Sequence, residues 1–293
     1  MTKIGAIIVT YNRKELLDKS IKALLSQNIE VNKIIIINNA STDGTEKLLT
    51  KYEKEYPGKF TIVNLLENLG GAGGFSEGIK KAYNEDIEYM WIMDDDTIPK
   101  ENALEELLRV YKNSEEKIGF VCSNVLFTDN TACIMNIPGP AKKWNSKLAE
   151  GLVELTSASF VSLMVHRDIV KAVGLPIKEF FIWGDDVEYT LRISEKYKSF
   201  MAFNSIVSHE MKENKGVSIS EDSRERIDRY FYAFRNKYYI ARKYKKLSSY
   251  YAFVGINIIR VFTRSKDFKL KRLKTITKGF FRGLGFNPSV EKI

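Results

Sequence analysis

Tyr89-Met90-Trp91-Ile92-Met93-Asp94-Asp95-Asp96-Thr97 decides the fold, because an apolar run ends there in three consecutive carboxylates. The run from Tyr89 to Met93 reads as a strand buried on both faces, as in the middle of a parallel sheet. Side chains alternate along an extended chain, so Asp94 and Asp96 are expected on one side and Asp95 on the other. Two carboxylates at the carboxyl end of such a strand suit a hard divalent cation and a phosphate. A lone aspartate could simply close the strand ahead of a helix near Pro99. Three together repel one another unless a cation offsets the charge. Asp94 and Asp96 are therefore read as metal ligands.

Upstream, the pattern alternates strand and helix. Ile4-Gly5-Ala6-Ile7-Ile8-Val9-Thr10 reads as a first buried strand, closed by Tyr11-Asn12-Arg13. Leu16, Leu17, Ile21, Leu24 and Leu25 recur at helical spacing between Lys14 and Gln27. A second strand covers Lys33 to Ile37 and ends in Asn38-Asn39-Ala40-Ser41-Thr42-Asp43-Gly44. A helix from Thr45 to Tyr56 and a strand from Phe60 to Leu66 follow, then Asn68-Leu69-Gly70-Gly71-Ala72-Gly73-Gly74-Phe75 and a helix to about Tyr83. Such alternation predicts an α/β, doubly wound, mostly parallel sheet whose ligand sits outside the carboxyl ends of the strands. Tyr11, Asn39, the glycines and the aspartate triplet all fall there.

Gly71-Ala72-Gly73 resembles the start of a dinucleotide fingerprint but does not follow the first strand, and Ser76 stands where the next glycine belongs. What remains is a glycine-rich loop before a helix, whose amides would face an anion or a sugar.

Downstream, a helix is expected from Lys100 to Asn113, a strand from Ile118 to Asn124, and loop with irregular hairpin from Thr128 to Gly151. A strand from Phe160 to His166 and a short helix from Arg167 to Val173 come next, with His166 read as structural. The second acidic site is Trp183-Gly184-Asp185-Asp186-Val187-Glu188, ahead of a helix from Val187 to Tyr197. One of its aspartates could cap that helix while the other acts as a base. A helix N-terminus lowers a carboxylate's pKa, so a base here needs burial beside Trp183 or repulsion from its neighbour. His209, one of two histidines in the chain, closes a short apolar strand from Ser205 and could complete the metal site.

The chain has 293 residues, 44% of them apolar, which suits one large α/β domain with an appendage. Cys122 and Cys133 have no metal-type spacing and read as reduced thiols of a cytoplasmic protein. No export signal is read at the N-terminus. Net charge is +9, and 18 Lys/Arg against 3 Asp/Glu lie between Arg224 and Arg282, so the rest is mildly acidic. The longest apolar run of this region, Tyr250 to Ile259, is too short to span a bilayer. Basic amphipathic helices rich in aromatic residues suit an anionic membrane surface, or a helical cap on the main domain. Nucleic acid is the weaker alternative and is not expected as a partner, since no binding motif accompanies the charge.

Together, Val9-Thr10-Tyr11-Asn12-Arg13, the Asn39-to-Thr45 turn, the aspartate triplet, Trp183-to-Glu188 and His209 resemble the family 2 glycosyltransferases. These are inverting enzymes with a glycosyltransferase-A fold, and the resemblance runs from Lys3 to Gly216. The glycine stretch with a full Asp-Asp-Asp looks most like the galactofuranosyltransferases. The resemblance implies that Thr10, Tyr11, Arg13, Asn38, Asn39 and Asp94 serve the nucleotide. It also implies Mn²⁺ or Mg²⁺ on Asp94, Asp96 and His209. Gly70, Gly71, Gly73, Gly74, Asp95, Trp183 and Asp185 would face donor sugar or acceptor, and Asp186 would take the acceptor proton. Many members carry Asp at the position of Asn38, which loosens the expected base preference.

The expected division is residues 1–216 as the catalytic domain and 217–293 as a basic helical region on the cytoplasmic membrane face. The expected reaction moves galactofuranose from UDP-galactofuranose to a lipid-linked glycan in cell-surface polysaccharide synthesis. The alternatives are dTDP-rhamnose or a UDP-hexopyranose as donor, or a non-catalytic nucleotide-sugar binding module; a homo-oligomer stays open. A nucleotidyltransferase would need a basic, glycine-rich motif after the first strand, and none stands there.

Overall fold

Isoleucine and valine crowd the first strands because β-branched side chains fit a pleated surface covered on both faces. The computed structural model describes residues 2–293. Strands β1 (Ile4–Thr10), β2 (Lys33–Asn38) and β3 (Phe60–Asn64) alternate with helices α1 (Lys14–Leu25), α2 (Thr45–Glu55) and α3 (Gly70–Asn84) and lead to β4 (Tyr89–Asp94). β1 pairs in parallel with β2 and β4, and β2 with β3. This half is the expected doubly wound sheet.

Alternation divides the core into two layers. Ile4, Ala6 and Ile8 of β1 pack with Leu17, Ile21 and Leu24 of α1 and Leu49 of α2. Ile7 and Val9 pack with Phe75, Ile79 and Ala82 of α3. β4 divides likewise, Trp91 and Met93 to one layer and Met90 and Ile92 to the other. Each fully buried side chain of this size contributes about 1.5–3 kcal/mol by leaving water.

The second half comprises β5 (Thr97–Pro99), α4 (Ala103–Lys112), β6 (Phe120–Phe127), β7 (Gly139–Pro140), β8 (Leu152–Ser157), β9 (Leu163–His166), α5 (Arg167–Val173), α6 (Asp185–Ser194) and β10 (Ser199–His209). β9 enters between β4 and β6 antiparallel to both, so the sheet is mixed beyond β4. β10 runs parallel to β6, with a register shift between Ala202 and Ile206, and antiparallel to β8 and β5. The β5–β10 register sets Thr97 opposite His209, and Glu210 donates its N–H to the Asp96 carbonyl at 2.8 Å. That pairing delays α4 to Ala103, against the expected start at Lys100, and brings the aspartate triplet to the end of β10. His166 caps α5, its Nδ1 accepting from the Asp168 N–H at 3.2 Å, consistent with a structural role.

The basic region forms α7 (Tyr230–Lys243), α8 (Leu247–Arg264) and α9 (Lys269–Gly285). Their centre is Phe234, Val261 and Ile276, with Trp183 packed against it. Among the described residues, no helix is long and apolar enough to cross a membrane.

Candidate active site

β4 ends at Asp94, so Asp95 and Asp96 lie in the turn that leads to β5. The expectation that Asp95 points away from Asp96 therefore fails, because strand alternation stops where the strand stops. One guanidinium nitrogen, Arg13 Nη1, reaches both, Asp96 Oδ2 at 2.5 Å and Asp95 Oδ1 at 3.2 Å. Thr10 donates its hydroxyl to Asp95 Oδ2 at 2.7 Å.

Asp94 and Asp96 still converge, with His209 as third member. One ligand atom from each lies within 4.8 Å of the others. His209 Nε2 is 3.0 Å from Asp96 Oδ1, and its Nδ1 is 2.7 Å from Asn136 Oδ1. An amide oxygen and a carboxylate both only accept, so Nδ1–H donates to Asn136 and Nε2–H to Asp96; a cation bound here would take the place of the Nε2 proton while Asn136 keeps Nδ1–H fixed. Asn136 is fixed in turn by its Nδ2–H donating to Ser159 Oγ at 3.0 Å. Two carboxylates and a tautomer-fixed imidazole make a donor set that fits Mn²⁺ or Mg²⁺.

Burial, with repulsion from Asp96 next, pushes Asp94 up to about 7. Burial pushes Asp95 up to about 6 despite Arg13. Burial also acts on Asp96, but the hydrogen bond and charge of His209, with Arg13, outweigh it and hold Asp96 below its ordinary value. His209 is raised, since Asp96 overcomes the effect of its burial.

The glycines do not form a loop: α3 begins at Gly70. Gly70 has φ +72°, and a Cβ there would come within 2.0 Å of the Phe181 carbonyl oxygen. A Cβ on Gly74 would meet Val9 Cγ1 at 2.5 Å, and one on Gly73 would meet Leu69 Cβ at 2.6 Å. Gly71 is open. Close approach thus accounts for three of the four, one to the acidic-site loop, one to β1 and one to Leu69, the N-cap of α3.

Asn39 holds this helix start, accepting from Leu69 N–H at 2.8 Å and donating to the Gly70 carbonyl at 3.0 Å. Asn38 donates to Asn64 Oδ1 at 2.8 Å and accepts from Ser41 N–H at 3.1 Å. Both asparagines, expected on the nucleotide, are buried and have their amide atoms engaged with protein. Tyr11 is exposed and Arg13 half-exposed at the same rim. A cavity of about 540 Å³ between α1 and α2, lined by Lys14, Asp18 and Tyr52, contains none of these residues.

Gly184, at φ +90°, is the N-cap of α6, so neither Asp185 nor Asp186 caps it. Both lie in the first turn, and the Val187 N–H donates to Asp186 Oδ1 at 2.7 Å. Burial pushes Asp186 up to about 6 against the backbone N–H groups of Val187, Asp186 and Gly184. Asp185 is pushed well up by burial and by Asp186, and the charge of Asp94 adds to it. Trp183, at φ +65°, sets its half-buried ring 5.0 Å from that of Tyr230 of α7, tilted by 54°.

Two residues that the sequence reading passed over stand behind these sites. Asn136 has no signal in an irregular segment. Glu188 was quoted only as part of a motif, yet it is fully buried, bonded to Arg192 at 2.8 Å and Lys243 at 2.6 Å.

Comparisons with known proteins place this fold in a family. The family model described as glycosyl transferase family 2 matches residues 6–168. The chain is 27% identical over 199 residues to galactofuranosyltransferase GlfT1 of Mycolicibacterium smegmatis, covering 65% of each chain. It is 31% identical over 121 residues to poly-beta-1,6-N-acetyl-D-glucosamine synthase of Staphylococcus aureus strain COL, covering 41% of this chain and 28% of that one. The matches thus span less than two thirds of either relative's length. Among solved structures, GalNAc-T7 with UDP, GalNAc and Mn²⁺ superposes with TM-score 0.61 at 14% identity, over 82% of this chain and 50% of that one. S. aureus TarS 1-349 in complex with UDP gives 0.56 at 12% identity, over 97% and 72%. At such identities the structural likeness shows the fold alone. With more than half its length matched by the family model and an α/β fold like these glycosyltransferases, the chain belongs to glycosyl transferase family 2.

Proposed function

We propose that this chain is a metal-dependent, inverting glycosyltransferase that moves galactofuranose from UDP-galactofuranose onto a lipid-linked glycan in cell-surface polysaccharide synthesis. The observation that carries the reading is the convergence of Asp94, Asp96 and His209, together with the second acidic pair Asp185 and Asp186, whose carboxylates are raised by burial and, for Asp185, by Asp94. A Mn²⁺ or Mg²⁺ ion held by Asp94, Asp96 and His209 would neutralise charge on the departing diphosphate. Tyr11 and Arg13 touch the nucleotide at the rim, while Thr10, Asn38 and Asn39 shape its pocket from behind. Asp95 and the start of α3 at Gly70, Gly71, Gly73 and Gly74 face the donor sugar. Asp186 takes the acceptor hydroxyl's proton, and Asp185 and Trp183 border the acceptor. Attack from the face opposite the diphosphate inverts the anomeric carbon.

The named relative GlfT1 supports galactofuranose as the sugar. A second reading, a UDP-linked hexosamine or other hexopyranose, draws support from the N-acetylglucosamine synthase relative.

Calorimetry with UDP, dTDP and GDP, with Mn²⁺ and with a chelator, tests the proposal. Tight, Mn²⁺-dependent UDP binding followed by turnover of UDP-galactofuranose is the expected result. Preference for dTDP would move the donor to rhamnose, UDP binding with turnover only of a UDP-hexosamine would favour the second reading, and no metal-dependent binding would remove the catalytic reading.

Residues 1–216 serve as the catalytic unit and 217–293 as a cap that also holds the chain on the cytoplasmic membrane face. α8 and α9 expose Tyr251, Ile259, Phe262, Leu270 and Phe281 beside Arg260, Lys274 and Lys278, a mixture suited to anionic headgroups. Sedimentation of the full chain with anionic but not with neutral vesicles is expected; no binding to either defeats the attachment.

A further inference from the structure

The four residues Phe181 to Gly184 join the last buried turn of the chain before α6 to the two aspartates at its start. Three of the four, Phe181, Trp183 and Gly184, have φ of +64°, +65° and +90°. Bulky aromatic residues do not rest in that region unless their surroundings hold them there.

Two elements do the holding. From one side, the Ala72 N–H in the first turn of α3 donates to the Phe181 carbonyl at 3.1 Å, with Gly70 pressed against the same oxygen. From the other side comes Asn236 of α7, fully buried. Its Nδ2 lies 2.9 Å from the Phe180 carbonyl, 3.0 Å from that of Ile182 and 2.8 Å from that of Trp183. One amide thus gathers three carbonyls within four residues of irregular backbone, its two N–H groups shared among them. Arg235 Nε, which can only donate, meets Asn236 Oδ1 at 3.0 Å and so fixes which way the amide faces.

Two helical turns further along the same face of α7, Lys243 reaches Glu188 Oε1 at 2.6 Å. Glu188 lies one turn into α6, directly after the aspartates. Arg192 holds its other side while donating to the carbonyls of Val173 and Leu175. Helix α7 therefore grips the entrance to α6 at one point and its first turn at another.

We propose that α7 is a two-point clamp on the acceptor side of the active site, with Asn236 and Lys243 as positioning residues that set Trp183, Asp185 and Asp186. The functional half of this statement rests on the transferase reading above. The basic C-terminal region is on this account part of the transfer machinery as well as a surface for attachment.

The test compares the wild-type full chain with Asn236→Ala and Asn236→Ser. Hydrogen exchange over residues 177–186 is expected to quicken about tenfold or more in Asn236→Ala and less in Asn236→Ser, which keeps one donor, while β1 and β4 exchange as before. UDP affinity with Mn²⁺ should stay within about twofold. With octyl galactoside as acceptor, its KM should rise and kcat fall about tenfold, the serine variant again lying between. Unchanged exchange across 177–186 would overturn the clamp, whether or not the wild type turns over a sugar nucleotide. Faster exchange with unchanged acceptor KM and kcat would overturn its catalytic role. Wild-type protein that releases no UDP from any sugar nucleotide would count against the transferase reading instead, with exchange still deciding the clamp. Should Asn236→Ala fail to fold, the same comparisons on Asn236→Ser decide both halves.

Discussion

The proton acceptor is the most exposed part of the proposal to direct test. Asp186 has an ordinary value of 3.8, and burial pushes it up to about 6. The ionised form is the base, so transfer should rise with pH through that value and level off above it. With an apparent pKa of about 6, about nine in ten copies are ionised at pH 7 and about one in ten at pH 5, a rate change of about tenfold. The value measured belongs to the Asp185–Asp186 pair, since each carboxylate shifts the other. Replacement by asparagine preserves size and keeps an oxygen for the Val187 N–H, so folding and UDP affinity should persist. Loss of the base should lower kcat by about 10²–10⁴, or about 3–5 kcal/mol of barrier. The assay is UDP release between pH 5 and 8 with saturating Mn²⁺, which holds the metal ligands deprotonated, for wild type and Asp186→Asn. A flat wild-type profile, or a variant that turns over at the wild-type rate, would remove Asp186 from the mechanism.

Asn136→Ala should weaken Mn²⁺ binding about 10–100-fold, measured by calorimetry, because His209 Nδ1 loses the acceptor that fixes its tautomer. Unaltered affinity would sink that assignment. Gly70→Ala should lower the melting temperature and slow transfer, since its Cβ has neither a favourable φ nor room beside Phe181. A variant as stable and active as wild type would show the close approach to be dispensable. Mn²⁺ should raise the melting temperature more at pH 8 than at pH 5.5. Asp94 and Asp95, at about 7 and about 6, bind protons more readily folded than unfolded, and so does the raised His209; all three therefore withdraw stability as pH climbs through that window. The lowered Asp96 changes only at more acid pH. An equal shift at both pH values would contradict the argument.

Much of this protein was written locally. Runs such as Ile34-Ile35-Ile36-Ile37 and the helical leucines of α1 carry their period in the sequence, and that period alone yields the parallel half of the sheet. The cluster of Asp94, Asp96 and His209 was legible for a related reason: acidic residues at a buried strand's end and a rare histidine after another strand are unusual enough to stand out. What stayed hidden depended on partners far along the chain. β9 was read as a strand, but nothing in Leu163–His166 says that it runs antiparallel between β4 and β6. The glycines read as a loop because glycine ordinarily weakens helices. Only the packing of Gly70 on Phe181 and of Gly74 on Val9 shows why a helix accepts them. Asn38 and Asn39 were expected on the nucleotide from the family resemblance, and only the tertiary structure shows their amides engaged with Asn64, Ser41, Leu69 and Gly70. Asn136 and Asn236 gave no local sign, because an amide's role is set by which carbonyls and imidazoles the fold brings to it. Periodicity and rare residue types can be read along one dimension; the direction of a hydrogen bond and the fit of a backbone against a neighbour exist only in three.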